Sequence, residues 1–224
     1  MLQVLEPVFQ KSTEKKSRFA HLRSGRTEFF REYDEFYIPT ECMALNLFHS
    51  SLAVCSSKGF EVLTLDKKQP WSVPDLKQSH VATIQARLQG QMPLGMFRLS
   101  DLEFLCCYEE CAVYVNKHGD ISRSVIMEFV GRARQAALFG AYVLLFDAEF
   151  VEIRNALNGR LRQVISGRDV RCLDDGMNGT SAVANSPEGK GLRRVKVAMQ
   201  HPYVERTQLV VELVLNEGLK EDTK

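Results

Sequence analysis

The stretch Tyr142–Ile165, YVLLFDAEFVEIRNALNGRLRQVI, decides the fold. Its opening segment, 142–146, is a short continuous apolar run of the kind that forms a strand buried on both faces. A weaker alternation of apolar and charged residues follows over 150–154, and a third apolar segment covers 161–165. Between the last two segments, Asn158-Gly159 favours a hairpin because both residues accept positive φ at little cost. The stretch therefore predicts three antiparallel strands in one small twisted sheet.

The same arrangement recurs earlier in the chain, which indicates an internal repeat. Apolar segments separated by short turns also occur at 52–63 and 104–115. When Phe60, Ala112 and Val151 are taken as equivalent points, their spacings are 52 and 39 residues. A repeat near 40 residues that contains several short strands is typical of a β-propeller blade. A single all-β sandwich is the alternative, since it too has strands at short intervals.

The fold class that these patterns predict is all-β: a partial β-propeller of about four blades plus fragments, with one short inserted helix. The helix is expected at Val81–Gln89, where apolar residues recur at helical spacing. This helix and the loop before it account for the longer first spacing of the repeat. We assign 1–218 to the β-structure, with mobile loops at 11–28 and 174–192, and expect 219–224 to be a disordered tail.

The composition of the chain excludes several functional classes. The 224 residues carry a formal net charge of +1, which argues against a broad surface for nucleic acid or membrane. No apolar run has the length of a membrane span, and the first ten residues lack the pattern of a signal peptide. We therefore expect a cytosolic or nuclear protein that contacts membranes peripherally at most.

Motifs that carry catalysis or metal binding are missing from the sequence. The five histidines are scattered, and most of the six cysteines lie inside apolar strand patterns, where a buried thiol behaves as a small hydrophobe. Cys107 and Cys111 do not have the spacing of zinc ligands and have no second pair. We therefore expect no catalytic residue, cofactor or metal, although a propeller enzyme could still assemble a site from distant blades.

The second hairpin of the opening stretch allows a prediction of register. A two-residue turn would mix apolar and charged side chains on one face, because a one-residue shift turns every side chain over. A five-residue connection, Asn155–Gly159, avoids this conflict. It sets Ile153 opposite Leu161 on the inner side and Glu152 opposite Arg162 on the outer side.

Two places are candidates for contact with a partner. In the predicted register, Glu152, Arg154, Arg160 and Arg162 form a small charged patch at the rim. This patch is either a solvated face or a contact with a partner, and the sequence leaves both interpretations open. Trp71 lies between two prolines in a polar loop, where it is either a partner anchor or a cover for one edge of the core.

A series of segments resembles the citron homology domain at the C-terminus of fungal Rho-type guanine nucleotide exchange factors. The series covers most of 29–215, and its order is more specific than any single member. The segments are Phe36–Glu41, Lys58–Val62, Glu103–Leu105, Val115–Gly119, Phe146–Arg154, Arg171–Leu173, Met199–Pro202 and Gln208–Leu213.

This resemblance implies a β-propeller, usually seven-bladed, that acts as a non-catalytic protein-interaction module in signalling through small Rho-type GTPases. The processes implied are cell-wall synthesis and actin control. The implied partner is a Rho-type GTPase or its exchange machinery, and the implied location is cytoplasmic, with peripheral contact to the plasma membrane. The helical exchange domain and its pleckstrin partner are not found in this sequence, so exchange activity would belong to another segment or chain. A scaffold propeller of a vacuolar sorting or membrane-tethering protein is the alternative function.

The chain looks like the later part of the family's domain, and its strands make about four blades where the family has roughly seven. We therefore predict that the blades do not close a ring, with a compact ring of fewer blades as the alternative. An open arrangement leaves unpaired strand edges, which favour self-association.

Overall fold

The computed structural model describes residues 2–7, 30–38, 40–48, 51–66, 69–77, 81–176 and 194–215. Within these residues the chain is almost entirely β-structure, with a single α-helix. The expected loop at 11–28, most of the expected loop at 174–192 and the expected tail at 219–224 lie outside the described residues.

The first of two compact units is a β-hairpin. It spans Met1–Glu41 and contains β1 (Leu2–Pro7) and β2 (Phe30–Phe36), which form a two-stranded antiparallel sheet. The register shifts between Val4 and Leu5, at a bulge or irregularity.

The second unit, from Cys42 onward, contains four antiparallel sheets that follow one another along the chain. The first consists of β3 (Cys42–Leu47), β4 (Ser51–Ser56), β5 (Gly59–Thr64) and β6 (Pro70–Val73). The second consists of β7 (Pro93–Arg98), β8 (Glu103–Tyr108), β9 (Cys111–Asn116) and β10 (Met127–Glu128). The third consists of β11 (Gln135–Phe139), β12 (Tyr142–Phe146), β13 (Phe150–Asn155) and β14 (Leu161–Ser166). The fourth has three strands, β15 (Arg171–Asp174), β16 (Val195–Gln200) and β17 (Gln208–Leu213).

These sheets are arranged as the blades of a β-propeller, which confirms the predicted fold class and overturns the sandwich alternative. The repeat is confirmed at the level of single residues. Phe60, Ala112 and Val151 each occupy the second position of the third strand of their sheet. Each of them also pairs with the residue five positions earlier on the second strand.

Three hydrophobic cores lie between neighbouring sheets. In the core between the first and second sheets, the rings of Phe60 and Tyr108 meet edge to face with centroids 5.3 Å apart. Leu105 and Leu145 belong to the core between the second and third sheets, and Phe146 belongs to the core between the third and fourth. Each large side chain buried in this way stabilises the fold by roughly 1.5–3 kcal/mol relative to exposure.

The inserted helix, α1 (Ala82–Leu88), lies in the connection between the first and second sheets. Ile84 and Leu88 are buried in the first core, together with Val81 just before the helix, as the spacing of apolar residues predicted. Gly90 follows with φ of +77°, a conformation that glycine adopts without strain. The helix therefore adds to a core that the two sheets already share.

The predicted register of the β13–β14 hairpin, with Ile153 opposite Leu161 and Glu152 opposite Arg162, is wrong. Ile153 instead pairs with Gln163, and the pairing shifts between Ile153 and the next residue of β13. The two strands are antiparallel neighbours, as expected.

The turn of this hairpin accounts for the difference. The side-chain oxygen of Asn155 accepts the backbone N–H groups of Leu157 and Asn158, at 2.9 and 3.1 Å. The backbone N–H of Asn155 donates to the carbonyl oxygen of Arg160 at 2.9 Å, which fixes the pairing next to the turn. A β-bulge then leaves Arg162 as the extra residue of β14, because its two neighbours pair with consecutive residues of β13.

Among the described strands, no backbone ladder joins the fourth sheet to the first. The strands that do pair stay within their own sheets. Since neighbouring sheets are not joined by a ladder either, ring closure is not tested by this observation and the open arrangement stays a prediction.

Candidate interaction surface

One member of the predicted charged patch, Glu152, is buried, and a second, Arg154, is half-buried. Glu152 is 1% exposed, and its carboxylate accepts the backbone N–H of Val130 at 2.9 Å. The same carboxylate forms an ion pair with Arg154, whose guanidinium also donates to the carbonyl oxygen of Gly159 at 2.8 Å. The expected outward position of Glu152 is therefore wrong, because the connection that carries Val130 covers this part of β13.

A second ion pair anchors the turn between β13 and β14 from the second sheet. Arg123 binds both carboxylate oxygens of Glu103, one of them at 2.8 Å, and also donates to the carbonyl oxygen of Leu157. Its guanidinium lies 4.0 Å from the centre of the Tyr114 ring, whose hydroxyl donates to the carbonyl oxygen of Ala156 at 3.0 Å. The hydrogen bond from Arg123 lowers the pKa of Glu103. The turn is therefore held from both the second and the third sheet.

The surface beyond this rigid turn combines exposed apolar and basic side chains. Leu157, Leu161 and Val164 are 51%, 46% and 44% exposed, and Arg160 and Arg162 are exposed beside them. We call these five residues the β14 surface. Arginine is enriched at protein interfaces, and the central part of an interface is more apolar than the rest of the surface.

Trp71 lies in the first sheet, and the structure does not bring it into the β14 surface in the third. The segment predicted as a polar loop contains the short strand β6, where Trp71 is half-buried and packs against the first core. Its exposed side borders a cavity of about 960 Å³ that is also lined by Lys77, Lys117 and His118. Trp71 therefore covers an edge of the core, and its role as a partner anchor stays a prediction.

The cysteines lack the features of a reactive or metal-binding set. Cys55, Cys106, Cys107 and Cys111 are buried, and burial raises the pKa of the Cys55 thiol to about 12 and that of Cys111 to about 11. Within the described residues, no cluster of three or more His, Cys, Asp or Glu side chains could hold a metal ion. No helix in the same residues is long and apolar enough to cross a membrane.

Comparison with known proteins identifies related sequences. A family model described as "CNH domain" matches residues 2–176. "Rho1 guanine nucleotide exchange factor 3" of Schizosaccharomyces pombe is 32% identical over 168 residues, which cover 74% of this chain and 13% of that protein. "RHO1 GDP-GTP exchange protein 2" of Saccharomyces cerevisiae is 25% identical over 145 residues, which cover 64% of this chain and 10% of that protein.

A solved structure shows the same fold. The "AfRom2 CNH domain" superimposes with a TM-score of 0.65 at 25% sequence identity. The superposition covers 83% of this chain and 54% of that one. This chain therefore matches a part of the solved domain and a small part of each curated relative.

Proposed function

Because this chain belongs to the CNH domain family, we propose that it is a non-catalytic interaction module that contacts a Rho-type GTPase or the machinery of its exchange factor. The homologous region in the fungal relatives belongs to proteins named as Rho1 exchange factors. The chain spans 13% of the first of these relatives, and we propose that the exchange reaction of such proteins lies outside the matched region.

The observation that carries this proposal is the 32% identity to a Rho1 exchange factor across 74% of the chain. The names of the relatives favour an exchange factor over a vacuolar-sorting or tethering protein. The proposed location is cytoplasmic, with peripheral contact to the plasma membrane, which microscopy of the fluorescently tagged chain tests.

We assign the contact to the β14 surface. Arg160 lies at the end of a turn that two ion pairs hold in place, and Arg162 lies on the strand β14 that follows it. Little conformational entropy of the backbone is therefore lost when a partner binds there. Basic side chains at such a position attract an acidic partner surface and orient it. The exposed leucines supply apolar area for the centre of the interface.

A pull-down with purified Rho-type GTPases, each loaded with GDP or a GTP analogue, tests the contact. The double variant Arg160→Glu/Arg162→Glu should weaken binding by about tenfold or more while the melting temperature stays unchanged. The matched control, Arg168→Glu/Arg206→Glu, makes the same charge change at exposed positions outside the β14 surface. Absence of binding to any GTPase in either nucleotide state would contradict the proposed function, whereas equal binding by both double variants would contradict only the assigned surface.

A further inference from the structure

An elongated groove runs beside α1 on the first and second sheets. It consists of two cavities, of about 960 and 740 Å³, that share Ser72, Pro74, Leu76 and Gln85 as lining residues. We call the two cavities together the α1 groove. The backbone N–H of Asp75 donates to the carbonyl oxygen of Gly119 at 2.7 Å, so the segment in the middle of the groove is fixed to the second sheet.

The floor of the α1 groove is apolar. Phe60, Val73 and Leu88 line the second cavity and are at most 7% exposed. Trp71 lines the first cavity and remains half-buried against the core. A ligand in the groove would therefore gain apolar contact with these four side chains, of which the Trp71 ring lines the first cavity.

Tyr108 places a polar group in this apolar floor. It is 4% exposed and lines the second cavity, and its ring packs against Phe60. Its hydroxyl is not among the fully buried side-chain polar atoms that lack a hydrogen-bond partner in the described residues. Burial raises the pKa of this hydroxyl well above its ordinary value, so it stays protonated and available as a donor. A ligand oxygen in the groove can accept a hydrogen bond from this hydroxyl.

The rim of the α1 groove carries an excess of positive charge. Lys77 and Lys117 line the first cavity and Lys58 lines the second, and none of them forms an ion pair within the described part of the chain. Asp75 is the acidic residue among the lining side chains, and its carboxylate accepts the backbone N–H of Lys77 at 3.1 Å. By contrast Arg87, on α1, is paired with Glu128 at 2.8 Å.

We propose that the α1 groove binds an extended acidic peptide segment of a partner protein. In an extended peptide, alternate side chains point to opposite sides. Apolar side chains can then pack on the floor while carboxylates reach Lys77 and Lys117, and a backbone carbonyl accepts the hydroxyl of Tyr108. A flat bilayer surface would meet the rim lysines but could not reach this hydroxyl. The proposal is independent of the GTPase contact assigned to the β14 surface.

Fluorescence anisotropy of the full chain with labelled peptides tests the groove. The probe is a peptide of about eight residues in which Glu alternates with Leu, and its companion carries Lys in place of Glu. The acidic peptide should bind and the basic one should not. The double variant Lys77→Glu/Lys117→Glu should weaken binding of the acidic peptide by about tenfold or more, whereas the matched control Arg168→Glu/Arg206→Glu should leave it unchanged.

A second variant separates the role of the hydroxyl from the role of the charges. Tyr108→Phe keeps the ring and should weaken binding of the acidic peptide about three- to tenfold without lowering the melting temperature. Absence of peptide binding, equal binding of the two peptides, or unaltered affinity in the lysine variant would overturn the proposal. If no peptide binds, but the chain binds phosphatidylserine vesicles and the lysine variant does not, the proposal is overturned in favour of a membrane-binding surface.

Discussion

The carboxylate of Glu152, on β13 of the third sheet, accepts the backbone N–H of Val130 at 2.9 Å. Val130 lies in the connection between the second and third sheets. A charged side chain that is 1% exposed thus links two blades. Its charge is balanced by Arg154, two residues further along the same strand. A buried carboxylate is tolerated when it is paired and hydrogen-bonded, and both conditions hold here.

Replacement of Arg154 by alanine should lower the free energy of unfolding by about 3 kcal/mol, because it leaves the Glu152 carboxylate buried without its counter-charge. Glu152→Gln keeps an acceptor for the N–H of Val130 and should cost less, about 1 kcal/mol. The control Arg160→Ala, at an exposed position, should change the value by no more than about 0.5 kcal/mol. Urea denaturation measures the free energy of unfolding of all three variants. Equal effects of Arg154→Ala and Arg160→Ala would contradict the structural role of the ion pair between Glu152 and Arg154.

The ion pair between Glu103 and Arg123 should make stability depend on pH in the acid range. Because the pKa of Glu103 is lowered in the folded state, its stabilising effect is complete above the unfolded pKa of about 4.3. The effect is lost as the pH falls through the lower folded pKa. Glu103→Gln should therefore flatten the loss of stability below about pH 5. The control is Glu149→Gln, which changes an exposed carboxylate that has no ion pair in the described residues. If both variants showed the same dependence of stability on pH, the prediction would be refuted.

The six thiols should differ widely in reactivity. Cys42 is exposed and should react first with a thiol reagent at neutral pH. Cys172 is half-buried, and burial raises its pKa to about 11, so it should react more slowly. The four buried thiols should react only after unfolding in denaturant. Mass spectrometry after brief labelling counts the modified thiols, and rapid labelling of buried positions in the folded chain would contradict this order.

The outer strand of the fourth sheet, β17, should promote self-association. Among the described strands its outer edge pairs with no neighbour, and Val210 on it is 60% exposed. The substitution Val210→Lys should shift the chain towards the monomer in sedimentation velocity experiments, because a charge on an exposed edge strand disfavours pairing between chains. Val125→Lys, at an apolar position that is 67% exposed and outside the edge strand, should leave the distribution unchanged. A wild-type chain that sediments as a single monomeric species would argue against the prediction.

The sequence was sufficient to predict the blades but not the surfaces on them. The repeat places Phe60, Ala112 and Val151 at equivalent positions because strand length and turn length are local properties of the chain. The burial of Glu152 depends instead on a connection from another sheet, which no pattern within β13 records. The register failed at Arg162 because a β-bulge inserts a residue without changing the composition of the strand.

The α1 groove could not be predicted from the sequence, for a related reason. Its lining comes from β6, α1, the turn at 116–120 and the end of β8, which are far apart in the chain. The sequence did single out Trp71, since tryptophan beside prolines is unusual in a polar segment. Nothing in the sequence connected it with Tyr108. In the structure, too, each cavity borders only one of these two residues.

The sharing of each core by two sheets has a mechanical consequence. The second and third sheets each border two of the three cores found in the described residues, whereas the first and the fourth each border one. Removal of a terminal blade therefore breaks a single packing interface, and removal of a central blade breaks two. When the chain is pulled from its ends, the terminal blades should detach first, as separate steps in a force-extension trace. The last unit to resist would be the central pair of blades, joined by the hydrogen bond between Val130 and Glu152.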